Sequence, residues 1–270
     1  MLRLGFGFVE VGTLTPLPQS GNARPRVARL VTARAVVNRL GFNNGGQSAA
    51  LARLAARGPG VVGVNIGANK DALDRASDYV TGVAAMAGVA DYLTINVSSP
   101  NTPGLRTLQT VDALEPLIAG ALAARPQAGP PIFVKIAPDL DDAEIDAIAE
   151  LCVGRVEGLI ATNTTLARPG GVGEGETGGL SGPPLLARST AVLARARRVT
   201  CGRIALIGVG GVDSGAAAYT KIRAGADTVQ LYTALAYAGP GLVARIKRDL
   251  AGLLARDGFA HVGQAVGVDV

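Results

Sequence analysis

The feature that most limits what this chain can fold into is a repeat of kind, not of residues. Short apolar and β-branched runs each end in a polar or glycine-rich loop, and each is followed by a segment with helical periodicity. Seven such runs occur, near Val9, Val64, Ile95, Val134, Ile160, Ile207 and Val229. Strands alternating with helices predict βαβ units and a parallel sheet, and runs apolar at nearly every position fit strands covered on both faces. A chain of 270 residues, 48% of them hydrophobic, can fill one large core, so residues 1–270 are expected to form a single domain. The expected fold class is α/β, a (β/α)8 TIM barrel. Such a barrel needs eight strands; seven predict a barrel lacking its first strand, with two neighbouring edges left open. An open doubly wound sheet fits less well, because no GxGxxG fingerprint follows a strand with an acidic residue at the required distance.

Between these strands the pattern predicts helices over about 48–56, 72–86, 143–153, 184–199 and 241–256, one capped at Thr110-Val111-Asp112 and running to about 124, and one capped by Asp213 or Ser214 and running to 224. Two short extended runs, 26–31 and 35–37, read as a hairpin lying over one end of the domain. The glycine-rich excursion from Arg168 to Gly182 reads as a mobile lid or an extended loop.

Composition removes several function classes. The charge of +5 and pI of about 9.6 come from dispersed arginines, and aromatics are only 4%, so no basic–aromatic stretch suggests nucleic-acid binding. Cys152 and Cys201 form no CxxC, and His261 is the sole histidine, so no His/Cys metal cluster can be assembled. No apolar run reaches the roughly 20 residues of a membrane helix, and Glu10 and Gly12 interrupt any signal-peptide pattern.

Barrel sites lie at the C-terminal ends of the strands. Those ends carry Thr13, Asn65, Asn96, Asn163 and Tyr232. The richest is Asn96-Val97-Ser98-Ser99-Pro100-Asn101-Thr102-Pro103, in which two prolines stiffen a loop of amides and hydroxyls. Lys135, one of four lysines, lies inside a strand between Val134 and Ile136. There it must face an anionic partner or lose its charge. After the last two strands come Gly210-Gly211 and Tyr232-Thr233, where barrels often bind phosphate. One interior cation, a phosphate site and many amides, with no acidic dyad, suit a phosphorylated cofactor that does the hard chemistry.

The segments NVSSPNTPGLR, NRLGFNN, VKIAPDL, ATNTT, GGLSG, IGVGGVDSG and QLYTAL, in order and at natural spacing over nearly the whole chain, resemble the quinone-dependent (class 2) dihydroorotate dehydrogenases. The resemblance implies an FMN barrel that oxidises dihydroorotate to orotate in pyrimidine biosynthesis and passes electrons to a quinone. It implies Ser99 as the base at substrate C5, with hydride from C6 going to flavin N5. Asn38, Asn96, Asn101 and Asn163 would hold the substrate, with Arg39, Leu40, Gly41 and Phe42 lining the site and Thr164 beside it. Thr13, Asn65, Asn96, Lys135 and Thr162 would contact FMN, and Gly182, Gly211, Tyr232 and Thr233 its phosphate end. It further implies no metal, a monomer or weak oligomer, and peripheral attachment to the cytoplasmic side of the cell membrane. Family members carry, before the segment matched here, a helical extension that serves quinone and membrane, then a strand and a lysine that touches flavin and substrate. Without these the chain is expected to be less stable, or to bind FMN more weakly, than a longer relative. The alternative is a catalytically incompetent remnant that binds FMN or orotate.

Overall fold

The computed structural model describes residues 1–270. All seven predicted runs are strands: β1 (Phe8–Leu14), then, after the hairpin strands β2 (Val27–Leu30) and β3 (Ala35–Asn38), β4 (Val61–Ile66), β5 (Tyr92–Asn96), β6 (Ile132–Ile136) and β7 (Gly158–Ala161). A short β8 (Gly179–Ser181) precedes β9 (Ala205–Val209) and β10 (Thr228–Gln230). The main sheet is parallel throughout, in the order β1-β4-β5-β6-β7-β9-β10, the seven-stranded arc of an incomplete (β/α)8 barrel. Its two end strands share no ladder, yet their side chains meet inside, where Gln230 Nε2 donates to Glu10 Oε2 at 3.1 Å.

The crossover helices are α1 (Gly46–Ala55), α2 (Arg75–Met86), α3 (Val111–Ala124), α4 (Asp142–Cys152), α5 (Leu186–Thr200) and α6 (Gly215–Arg223), followed by α7 (Thr233–Ala238) and α8 (Leu242–Arg256). Their starts follow local chemistry. Asp141 and Glu144 form a reciprocal capping box on α4, and Ser214 accepts from Ala217 N at the head of α6. Helix α2 begins three residues later than the apolar pattern suggested, because Asp74 supplies its cap by accepting from Ser77 N. Thr110 sits at the N-cap of α3 but does not cap it; its hydroxyl donates to Thr107 O instead.

Burial on the two sheet faces differs from the expected symmetry. The face toward the helices is apolar and closed: Ile132, Val134 and Ile136 of β6 have no exposure. The inward face carries Phe8, Glu10, Tyr92, Thr94, Asn96, Phe133, Lys135 and Gln230, alternating with the outward set at the two-residue period of a strand. Phe8, Tyr92 and Phe133 stack edge to face at 6.0 and 5.6 Å, forming an aromatic floor beneath the polar layer. Gly63 makes room for it, since a Cβ there would stand 2.0 Å from the Tyr92 ring.

The Arg168–Gly182 excursion is not a plain loop. Its end, β8, pairs antiparallel with β3 and completes a three-stranded sheet with the predicted hairpin. Arg168 ties the rest together, donating to the carbonyls of Leu166, Gly173, Glu176 and Gly178.

Lys221 of α6 is fully buried, and its Nζ donates to Ser189 Oγ at 2.6 Å. Burial pushes its pKa down from 10.5 to about 7. Between those values the unfolded chain holds a proton that the folded protein has released, so this residue makes stability rise with pH through that window. In Lys221→Met that contribution vanishes. Urea midpoints at pH 7 and pH 9 should therefore climb more in the native protein than in the variant; parallel shifts would contradict the assignment.

Candidate active site

The polar layer is built from the barrel floor upward. Glu10 receives hydrogen bonds from four neutral donors. Asn65 Nδ2 donates to Oε1 (2.8 Å); Tyr92 OH (3.1 Å), Thr94 Oγ1 (2.9 Å) and Gln230 Nε2 (3.1 Å) donate to Oε2. Lys135 Nζ lies 3.7 Å from Oε1. Burial alone would raise the Glu10 pKa; the Lys135 charge and the bonds from Asn65, Gln230 and Thr94 outweigh it and hold the carboxyl below 4.5. The anionic partner that a strand-interior lysine requires is thus Glu10. Lys135 itself makes no protein hydrogen bond, and its side chain is 16% exposed toward the cavity.

Above this layer, Asn65 Oδ1 accepts from Thr13 Oγ1 (2.6 Å) and Asn96 Nδ2 (3.1 Å). Asn96 Oδ1 in turn accepts from Ser98 Oγ and Asn163 Nδ2, both at 3.1 Å. Asn101 Nδ2 donates to Asn38 Oδ1 (3.1 Å). Asn38, Asn65, Asn96, Asn101 and Asn163, which come from four separate stretches of chain, therefore gather at one rim. Ser99 lies there too, 5% exposed, its Oγ accepting from Asn101 N at 3.2 Å. No ionisable side chain hydrogen-bonds to Ser99.

Arg106 holds the rim together. Its Nε donates to Ser98 O (3.0 Å), Nη2 to Thr164 O (2.9 Å), and Nη1 pairs with Asp139 at 2.7 Å. Thr162 Oγ1 donates to Asn163 O, adjoining the same cluster. Gly179 of β8 closes over Thr164, where a Cβ would lie 1.9 Å from the hydroxyl. Two buried polar atoms here have no partner, Asn101 Oδ1 and Thr164 Oγ1. Unsatisfied buried groups are rare in folded proteins, and a bound water or ligand is the usual partner for them.

The loop from Arg39 to Phe42 reaches the rim through its backbone. The Arg39 guanidinium turns away, donating to Thr177 Oγ1 (2.6 Å) and Pro25 O (2.5 Å). Asn22 binds the carbonyls of Arg39, Leu40 and Asn101, which joins this loop to the serine loop. Gly41 and Phe42 both have left-handed backbones (φ 69 and 53), and the Phe42 ring comes within 2.9 Å of where a Gly67 Cβ would be. At the far side, Thr233 Oγ1 donates to Ser181 Oγ (2.8 Å), next to Gly182, and a Cβ on Gly211 would meet Leu186 at 2.5 Å. Gly182, Gly211 and Thr233 thus surround one corner, while Tyr232 is 85% exposed.

Glu10, Gln230, Tyr92, Asn22, Arg106 and Asp139 were not among the residues expected here. Glu10 had a legible signal: it is a charged residue inside an apolar strand, as Lys135 is.

With its polar side chains at one rim and no ionisable group hydrogen-bonded to Ser99, the chain falls in the class of barrel oxidoreductases that leave the electron chemistry to a bound cofactor. The family model described as "Dihydroorotate dehydrogenase" matches residues 1–254. The chain is 59% identical to a protein of Parvibaculum lavamentivorans named dihydroorotate dehydrogenase (quinone), over 100% of this chain and 79% of that one. It is 57% identical to the protein of the same name in Rhodospirillum rubrum, over 100% of this chain and 76% of that one. The crystal structure of DHODH from Eimeria tenella in complex with ferulenol superposes with a TM-score of 0.94 at 42% identity, covering 98% of this chain and 80% of that one. The chain belongs to the dihydroorotate dehydrogenase family, and that membership implies a flavin. The residues present fit such a group: Lys135 is a cation without a hydrogen-bond partner, and Asn101 Oδ1 and Thr164 Oγ1 at the rim are buried polar atoms without one. No helix is long and apolar enough to cross a membrane.

Proposed function

We propose that this chain oxidises (S)-dihydroorotate to orotate, with FMN as the bound cofactor and a quinone as the final acceptor. The kinship at 59% identity to a protein named for this reaction carries the proposal. The unpartnered Asn101 Oδ1 and Thr164 Oγ1 support it, since a ring with alternating N–H and C=O groups offers the kind of partner each lacks.

Asn38, Asn96, Asn101 and Asn163 hold the pyrimidine ring and its carboxylate, with the Arg39–Phe42 backbone as the wall and Thr164 at its edge. Ser99 takes the proton from substrate C5 and hands its own hydroxyl proton to a relay, which a water in the loaded site would supply; within the protein its Oγ accepts from the Asn101 N–H. Bound there, FMN would supply the acceptor, at its N5, for the hydride that leaves C6. Lys135 places positive charge beside the cofactor ring, where negative charge builds up on reduction. Thr13, Asn65, Asn96 and Thr162 line the cofactor's remaining edge, and Gly182, Gly211, Tyr232 and Thr233 enclose its phosphate.

Reconstituting purified protein with FMN and following dye reduction by dihydroorotate tests the proposal. Stoichiometric flavin with turnover is the expected result. Flavin binding without turnover would favour a remnant, and absence of flavin binding would overturn the reading.

A further inference from the structure

The amides of the site form an ordered chain that starts at Glu10. An ionised carboxylate only accepts hydrogen bonds, so Asn65 must turn Nδ2 down to Glu10 and Oδ1 up toward the rim. That oxygen needs donors, and Thr13 Oγ1 and Asn96 Nδ2 supply them. Asn96 Nδ2 spends its second proton on Thr13 Oγ1 at 3.0 Å, which leaves Asn96 Oδ1 facing upward. There it accepts from Asn163 Nδ2, whose other proton goes to Ser98 Oγ, and Asn163 Oδ1 then accepts from Thr164 N at 2.8 Å. Every link runs donor-down, acceptor-up. Neither Asn96 nor Asn163 can flip without meeting donor with donor or acceptor with acceptor.

We propose that Glu10 is the positioning residue that sets the polarity of this chain, and thereby decides which edge Asn65, Asn96 and Asn163 turn toward the bound substrate and cofactor. The assignment of a ligand to those amides rests on the function proposed above; the hydrogen-bond relay does not. Glu10 touches neither substrate nor cofactor in this role. Four hydrogen-bond donors, Asn65, Tyr92, Thr94 and Gln230, and the Lys135 charge converge on it. The carboxyl stays ionised under this load, its pKa held down despite burial.

In Glu10→Gln an N–H₂ group enters a ring of donors. The Tyr92 and Thr94 hydroxyls can turn to accept from it while Gln230 flips; the relay predicts instead a flip of Asn65 that presents Oδ1 downward and reverses every link above. The double variant Glu10→Gln/Asn65→Asp restores the original direction: the new amide donates to the new carboxylate, whose other oxygen still accepts from Thr13 and Asn96. The charge opposite Lys135 is also conserved.

Two readouts test this on FMN-loaded protein. Side-chain amide ¹H–¹⁵N resonances of Asn96 and Asn163, recorded without substrate, should shift in Glu10→Gln and return toward native positions in the double variant. Calorimetric orotate affinity should fall about 10- to 100-fold in Glu10→Gln and recover about tenfold in the double variant. Resonance changes confined to Asn65, or a double variant no different from the single one, would overturn the relay. If the native protein does not bind orotate, the proposed substrate fails while the resonance test still judges Glu10. If Glu10→Gln does not fold, Asn65→Asp takes its place: it confronts carboxylate with carboxylate, so it should bind orotate about tenfold more weakly than the double variant. Equal affinities would again overturn the proposal.

Discussion

Ser99→Ala should lower kcat for dihydroorotate oxidation by about 10²- to 10⁴-fold, the usual contribution of a positioned general base, or roughly 3–5 kcal/mol of barrel-bound transition-state stabilisation. Orotate affinity should change by no more than a few-fold. The geometry separates these effects. Ser99 Oγ accepts only from the Asn101 backbone and takes no part in the side-chain chain from Asn65 to Asn163. Removing the hydroxyl takes away a proton acceptor and leaves the amides where they were. With 5% exposure, the site admits little water to replace it. Stopped-flow flavin reduction measures the chemical step directly. A rate within tenfold of native would remove Ser99 from its proposed role.

Lys135→Met should produce the second large effect, on stability and on reduction together. Breaking a buried ion pair by deleting one partner typically costs about 3–5 kcal/mol. Here the cost should be smaller, about 2–3 kcal/mol, because Glu10 keeps four neutral donors. The loss depends on pH in a definite direction. The Glu10 pKa is depressed in the folded protein, so its contribution is present above its ordinary value of 4.5 and is lost as pH falls below that. Without Lys135 the depression shrinks, so the loss still sets in near 4.5 but is smaller and complete at a higher pH than in the native protein. Urea titrations at pH 7 and pH 3 measure both. The bound flavin's midpoint potential should also fall, by about 30–60 mV, since 30 mV corresponds to 1.4 kcal/mol for two electrons. Unchanged stability and potential would mean that Lys135 serves neither Glu10 nor the cofactor.

Much of this architecture was legible before any coordinates. The seven main strands, seven of the eight helices and the hairpin are local matters: apolar runs, caps such as Asp141 with Glu144, and glycine or proline stops. The gathering of Asn65, Asn96 and Asn163 followed from a single rule, that barrel loops after the strands share one end; Asn38 and Asn101 were expected there only from the family resemblance.

What the sequence by itself determined, then, is the parallel strand–helix alternation and the inventory of polar residues at the strand ends, because both depend on neighbours a few positions apart. Only the tertiary structure decided that Glu10 faces Lys135, 125 positions away in sequence and three places along the sheet order. Only it showed that Gly179–Ser181 is a strand, since three residues acquire that state by pairing with β3. It also turned the Arg39 guanidinium toward Thr177 and Pro25, away from the rim it was expected to line with its side chain. The physical reason is the same in each case. A side chain's partner and direction are chosen by the curvature of the sheet and by which donors and acceptors remain unpaired once it has closed, and neither is a property of adjacent residues.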